Sequence, residues 1–158
     1  MQTFLAYDNF YDSAWCLDNL RLNKQIIEAR DIWRRCLGYK KDRYTNHPAV
    51  KMWKGYENSL LEYGVTCYNE WIDRFHKKLR GGRACHEVGE ELLALLSQEI
   101  EDEIINGRER IYPYWLGDLR FHSSHRAALL AKKPDWYKEF NWEEEPIINY
   151  WWPGGVFK

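Results

Sequence analysis

Between positions 15 and 36 the apolar residues Trp15, Leu22, Ile26, Ala29, Trp33 and Cys36 follow one another at steps of seven, four, three, four and three. A helix of 3.6 residues per turn brings such a set onto one face, whereas a strand would scatter it over two. The spacing returns at Trp53, Tyr56, Leu60, Cys67, Trp71, Phe75 and Leu79, and again at Val88, Leu92, Leu95, Leu96, Ile100 and Ile104. Amphipathic helices bury such faces against one another, which predicts an all-α helical bundle. No internal repeat or linker divides the chain, so residues 1–158 are expected to form a single domain.

Punctuation places the elements. The first helix is predicted from a cap at Asp12 or Ser13 to about Leu37, stopped by Gly38. Asn46 or His47 caps a second, with Pro48 at its first position and Gly81 and Gly82 at its end. Residues 48–79 as one helix would span ~48 Å, whereas a chain of this size has a diameter of about 40 Å. That helix must therefore bend or break, and Gly55 or Gly64 is where this costs least. A third helix covers 85–106, with its acidic run outside and Gly107 at its end. Residues 108–121 read as an ordered aromatic loop; Ser123 or Ser124 caps a short helix to about Lys132, and Pro134 opens one further turn. Residues 2–10 are expected as an extended arm on the core, and the Trp-rich tail from Asn141 as a strap over the helices.

Composition excludes several classes. Nine Trp, eleven Tyr and six Phe carry more apolar surface than a disordered chain would. No stretch approaches ~18 consecutive apolar residues, so no membrane partner is expected. MQTFLAYDNF lacks the basic and small-residue signature of a secretion signal, which predicts a cytoplasmic protein. Cys16, Cys36, Cys67 and Cys85 form no CxxC pattern, so free thiols are expected rather than a zinc site.

The net charge of −1 hides an uneven distribution. Residues 21–43 hold eight bases against three acids; residues 74–83 add Arg74, Lys77, Lys78, Arg80 and Arg83 without an acid; residues 87–103 hold seven acids and no base. A polyanion responds to the local field, which is screened beyond roughly 8–10 Å. The two basic stretches are therefore candidates for docking phosphates, with a solvated alternation of charge as the plainer alternative.

Three constellations could carry chemistry. Asp18, Arg21, Lys24, Gln25 and Glu28 fall on one helical strip and would set two carboxylates, two cations and an amide side by side. Intrahelical ion pairing is the alternative explanation. His47 stands before the Pro48 helix start, and His122 and His125 are three apart beside Arg120 and Arg126. A lone His-x-x-His without a third ligand predicts no metal, and these rings would cap helices or meet a phosphate. Tyr114 and Trp115 beside Gly117, with Tyr112, would make a stacking wall for a base, or else plug the core.

Four segments carry a resemblance: LDNLRLNKQIIEA (17–29), NHPAVKMWKGYENSLLEYGVTCYNEW (46–71), PYWLGDLRFHSSHRAALLAKKPDWYKEF (113–140) and YWWP (150–153). Together they resemble the pyrimidine-dimer DNA glycosylase family, the endonuclease V type of repair enzyme, and its bacterial branch more than its characterised phage members. The resemblance implies an all-α domain without a cofactor. It also implies excision of a damaged pyrimidine from double-stranded DNA, followed by strand cleavage through β-elimination. The family nucleophile is an N-terminal α-amine, assisted by a Glu on the first long helix. Such an amine has an ordinary pKa of ~7.7–8.0 against ~10.4 for Lys, so more of it is unprotonated at neutral pH.

Arg21 matches the family's helix cation, but two positions depart from its pattern. Gln2 is larger than the residue that follows the initiator Met in the repair enzymes, and Leu22 stands where the catalytic Glu would follow Arg21. Glu28 or Asp18 would then replace the carboxylate, and Lys24 the amine. The expectation is a monomeric DNA glycosylase with AP-lyase activity. Arg21, Lys24, Gln25, Glu28 and Asp18 would be catalytic, and Asn46, His47, Tyr114, Trp115, His122, His125 and Arg126 would bind substrate. The alternative is a non-catalytic nucleotide or modified-base binding protein on the same scaffold. A blander one is an interaction domain whose polar strip is buried ion pairing. Phage and bacterial origins fit alike.

Overall fold

A computed structural model of the chain describes residues 1–75 and 83–155. Its elements are α1 (Phe10–Cys16), α2 (Asn19–Cys36), α3 (Pro48–Lys51), α4 (Glu57–Phe75), α5 (Arg83–Asn106), α6 (Leu119–Lys132) and α7 (Pro134–Tyr137), followed by short 3-10 turns at Lys138–Phe140 and Pro153–Gly155. No strand occurs among the described residues, and the fold is all-α. Helices α2, α4 and α5 pack on one another, with α1 against α4 and α3 against α2. Trp53, Tyr63, Tyr68, Trp71, Trp115 and Phe121 fill the shared core.

The first predicted helix is two helices. Asn9 caps α1 by accepting the Asp12 N–H, and the chain then turns extended at Leu17 and Asp18. The Asp18 carboxylate accepts the N–H groups of Leu20 and Arg21, so it opens α2 instead of lying within a helix. Separating α1 from α2 turns Trp15 away from the apolar face of α2; its ring is exposed and meets Phe140 edge-on. Apart from Arg35, which is buried, the acids and bases of α2 still present the outer face, while Leu22, Ile26, Ala29 and Trp33 are buried.

The second predicted helix breaks where expected. Gly55 has a φ of +86°, which favours glycine, and it separates α3 from α4. Gly64 does not bend the chain but allows close packing: a Cβ there would lie 2.9 Å from Leu92 Cδ1 and 3.0 Å from the Ala29 Cβ. The predicted stop at Gly81 and Gly82, with Leu79, lies outside the described residues. In α5, Val88, Leu92 and Leu96 are buried, but Ile100 and Ile104 are exposed, because the end of this helix runs past the core.

Helix α6 begins earlier than predicted. Asp118, not Ser123 or Ser124, is its cap and accepts the Arg120 N–H at 3.0 Å. The extra turn carries Phe121, His122 and His125 into the core. Residues 1–9 form the expected arm, with Phe4, Leu5 and Ala6 buried. The strap from Asn141 lies over α6 and α7, stacking Trp142 on Tyr137 and bonding the Ile147 N–H to the Ala127 carbonyl at 3.3 Å. All four cysteines are free thiols. No helix among the described residues is long and apolar enough to cross a membrane.

Candidate functional site

The start of the chain lies along α2, held by that helix's polar side chains. Glu28 accepts the backbone N–H of Gln2 at 2.6 Å, and its other oxygen is 4.0 Å from the Met1 α-amino nitrogen. One turn earlier, Gln25 is buried and fully committed. Its Oε1 accepts the Phe4 N–H at 2.7 Å and the Tyr63 hydroxyl at 2.6 Å, while its Nε2 donates to the Gln2 carbonyl at 3.0 Å. Trp53 Nε1 donates to the Thr3 hydroxyl at 2.9 Å. These bonds give residues 2–4 the partners that a strand would find in a sheet.

Helix α6 secures the next residues. His125 Nδ1 accepts the Leu5 N–H at 2.9 Å, so its proton sits on Nε2, which is buried without a partner. Burial, together with the neighbouring His122, pushes the His125 pKa down to about 3. His122 accepts the Gly117 N–H through Nε2 and faces the Leu5 carbonyl through Nδ1, each at 2.9 Å. Arg126 donates to the Ala6 carbonyl at 2.8 Å and pairs with Glu144 at 2.6 Å. None of these three is placed to read a phosphate, as the sequence suggested; they clasp the arm.

The groove beside the Met1 amine has a volume of about 290 Å³. Met1, Gln2, Arg21, Lys24 and Glu28 line it from the arm and α2, Lys132 comes from the end of α6, and Ile148 and Tyr150 come from the strap. Lys24 and Lys132 are exposed and, among the described residues, carry no ion pair. Tyr150 is pushed up to about 12, first by burial, with the Arg21 charge opposing and Glu28 adding. Gln2 folds inward: its Oε1 accepts the Thr3 N–H at 3.0 Å and its Nε2 is buried without a partner.

The polar strip therefore divides. Arg21, Lys24 and Glu28 line the groove; Gln25 touches it but holds the arm; Asp18 lies beneath it, fully buried. Asp18 pairs with Arg21 at 2.6 Å and accepts the Tyr137 hydroxyl at 2.8 Å. Burial alone would raise its pKa, but the bonds from Arg21 and Tyr137 and the Arg21 charge more than offset that and hold it below the usual value.

His47 caps α3, accepting the Ala49 N–H at 3.1 Å, and its ring meets Trp152 edge-on. Burial, then the positive charges of the N-terminus and Arg35, lower its pKa. Asn46 is exposed just before this cap.

The predicted stacking wall does not form. Trp115 is 1 % exposed, crosses Trp53 edge-on and donates to the Met52 carbonyl at 3.1 Å, so it is a core plug. Tyr114 is 69 % exposed but borders a separate cavity with Lys51 and Lys54. Tyr112 lines a third cavity and donates to Glu62 at 2.8 Å.

Half of the eight bases at 21–43 are paired within the protein: Arg21 with Asp18, Arg30 with Glu91, Arg35 with Asp42 and Lys40 with Asp31. Arg74 bridges Glu70 and the carbonyls of Leu17 and Trp15, joining α4 to the α1–α2 turn. Lys77, Lys78 and Arg80, and the side chain of Arg83, lie outside the described residues. Sequence reasoning set the N-terminal amine aside in favour of Lys24, and it missed Lys132, Ile148 and Tyr150, since no spacing rule links residues so far apart.

Comparisons with characterised proteins and with solved structures find no match. A family model does match: that of the pyrimidine dimer DNA glycosylases, over residues 1–80. The matched half contains the arm, α1 to α4 and the groove residues Met1, Gln2, Arg21, Lys24, Gln25 and Glu28. A groove that sets the Met1 nitrogen beside a carboxylate and cations therefore lies mainly within the matched region, and the chain belongs to the pyrimidine dimer DNA glycosylase family, a family of DNA-repair glycosylases.

Proposed function

We propose that this protein excises a damaged or modified pyrimidine from duplex DNA and cleaves the resulting abasic strand, using the α-amine of Met1 as nucleophile and Glu28 as its proton-handling partner. The observation that carries this reading is the position of Glu28. Its carboxylate binds the Gln2 N–H at 2.6 Å and lies 4.0 Å from the amine. The carboxylate that Leu22 does not supply at the family position is thus available two turns along the same helix.

In the proposed reaction the unprotonated amine attacks the sugar C1′. The C1′–N glycosidic bond breaks, its electron pair leaves with the base, and the base takes up a proton. The amine loses a proton to Glu28, the C1′–O4′ bond opens with protonation of O4′, and an iminium forms. Removal of a C2′ proton then expels the 3′ phosphate by β-elimination, and water releases the enzyme. Glu28 also stabilises the iminium charge. Arg21, Lys24 and Lys132 hold the flanking phosphates.

Borohydride trapping followed by peptide mapping tests this. The expected result is an adduct on the Met1 peptide that one added N-terminal residue abolishes. An adduct on Lys24 would move the nucleophile there, and no adduct on dimer-containing or abasic duplexes would sink the reading.

The non-catalytic nucleotide binder is disfavoured by the amine–carboxylate pairing, which such a protein would not need. Salt separates the two. A protein making about six phosphate contacts loses roughly 10³-fold in affinity between 50 and 200 mM salt, and a mononucleotide pocket far less.

A further inference from the structure

Gln2 follows the proposed nucleophile in the chain, and three of its four polar atoms are bonded. Its N–H donates to Glu28 at 2.6 Å, its carbonyl accepts Gln25 Nε2 at 3.0 Å, and its Oε1 accepts the Thr3 N–H at 3.0 Å. The fourth, the amide Nε2, is buried with no partner among the described residues. The amide cannot be turned over, because its NH2 would then face the Thr3 N–H, donor against donor.

A buried donor left unpaired destabilises a fold, so its presence calls for a reason. Asn23, Arg30, Trp71 and His125 also bury an unpaired atom, but none of them lines the groove. Gln2 does, while only 5 % exposed, so its amide belongs to the floor of the groove and not to its rim. An acceptor for this donor must come from what occupies the groove. Phosphates are served by the charged Arg21, Lys24 and Lys132, whereas a neutral buried donor suits the neutral sugar. Attack brings the nucleophile to about 3–3.5 Å from C1′, and the acceptor bonded directly to that carbon is the ring oxygen O4′.

We infer that the Gln2 side-chain amide hydrogen-bonds O4′ of the deoxyribose held in the groove and promotes opening of the sugar ring once the base has left. The inference rests on the glycosylase reading. In the opening step the lone pair on the Met1 nitrogen forms the C1′=N bond, and the C1′–O4′ bond breaks with its electron pair going to O4′. O4′ then takes the proton that Glu28 received from the amine. Gln2 gives up no proton; as a donor already in place, it stabilises negative charge while that charge develops on O4′. The same bond does not assist loss of the base, during which O4′ shares positive charge with C1′. Gln2 therefore acts on iminium formation more than on glycosidic cleavage.

The test follows single turnovers of the full chain on a thymine-dimer duplex. Glycosidic cleavage is read as alkali-labile sites and the iminium as borohydride-trapped protein–DNA. Gln2→Glu keeps an oxygen for the Thr3 N–H and loses the donor; Gln2→Met loses both. In each variant the ratio of trapped adduct to glycosidic cleavage is expected to fall tenfold or more, toward the roughly 10²–10³-fold that loss of one such donor costs. Melting temperatures should stay within a few degrees of wild type. An unchanged ratio, whether both steps hold or both fall together, overturns the role of Gln2 and leaves the glycosylase reading standing on the wild-type activity. Loss of cooperative melting in both variants assigns Gln2 to the fold and overturns it as well. A wild-type protein that gives neither cleavage nor adduct overturns both readings.

Discussion

The backbone N–H of Gln2 donates to the Glu28 carboxylate at 2.6 Å, which registers the start of the chain against the middle of α2. A carboxylate that anchors the adjacent peptide is pre-positioned for whatever the amine does. Its charge and its hydrogen bond can be separated by substitution. Glu28→Gln keeps an acceptor for the Gln2 N–H and removes the charge. Its melting temperature should remain within a few degrees of wild type, while the yield of borohydride-trapped DNA falls about 10²–10⁴-fold, the usual contribution of a proton-transfer group. Equal trapping by the folded variant would exclude Glu28 from the chemistry.

Gln25 joins the Phe4 N–H, the Gln2 carbonyl and the Tyr63 hydroxyl in a site closed to solvent. Tyr63 has a second acceptor in the Phe4 carbonyl at 2.8 Å, so truncation to Ala orphans chiefly the other two groups. Each buried polar group left unpaired costs about 1–3 kcal/mol, so Gln25→Ala should lose roughly 2–5 kcal/mol in urea unfolding. A loss below about 1 kcal/mol would mean that the arm detaches freely.

Asp18 performs three tasks: it caps α2, pairs with Arg21 and accepts the Tyr137 hydroxyl. Asp18→Asn retains a capping oxygen, whereas Asp18→Ala removes the cap and strands two polar partners. Denaturation should rank them accordingly, with Ala costing about 3 kcal/mol and Asn about 1 kcal/mol. Equal costs would show that the charge, not the geometry, matters at this position.

His125 makes stability depend on acid. Its pKa is about 3 in the fold, because the buried ring keeps a neutral Nδ1 to accept the Leu5 N–H, against roughly 6.5 in the unfolded chain. The unfolded chain therefore binds the extra proton. The stabilisation is fully present above about pH 6.5 and is lost at up to about 1.4 kcal/mol per unit as pH falls toward 3. His47 and His122, also lowered by burial, act in the same direction. Urea midpoints measured from pH 7 to pH 4 should fall steeply for wild type and less steeply for His125→Asn, which offers Leu5 an acceptor that does not titrate. Identical slopes would locate the acid sensitivity elsewhere.

The helices were legible in the order of residues because helical periodicity is local: Leu22, Ile26 and Ala29 announce their shared face within two turns. Gly55 announces the break by its own backbone freedom, and the apolar run Phe4, Leu5, Ala6 announces a buried arm. Where local spacing left a choice, only packing decided. Tyr114 and Trp115 are neighbours with similar rings, yet one is exposed and the other fills the core against Trp53. His122 and His125 looked ready for a ligand until the extra turn of α6, begun by Asp118, carried both inside to bind Leu5.

Sequence alone determined the all-α architecture and the family, since both depend on patterns within short segments. The groove was decided by tertiary structure. Met1, Glu28, Lys132 and Ile148 meet there only because the arm, lacking a sheet, takes its hydrogen bonds from side chains of α2 and α6. That requirement of buried main chain brings the amine to a carboxylate on α2, and no spacing rule within one helix could have specified it.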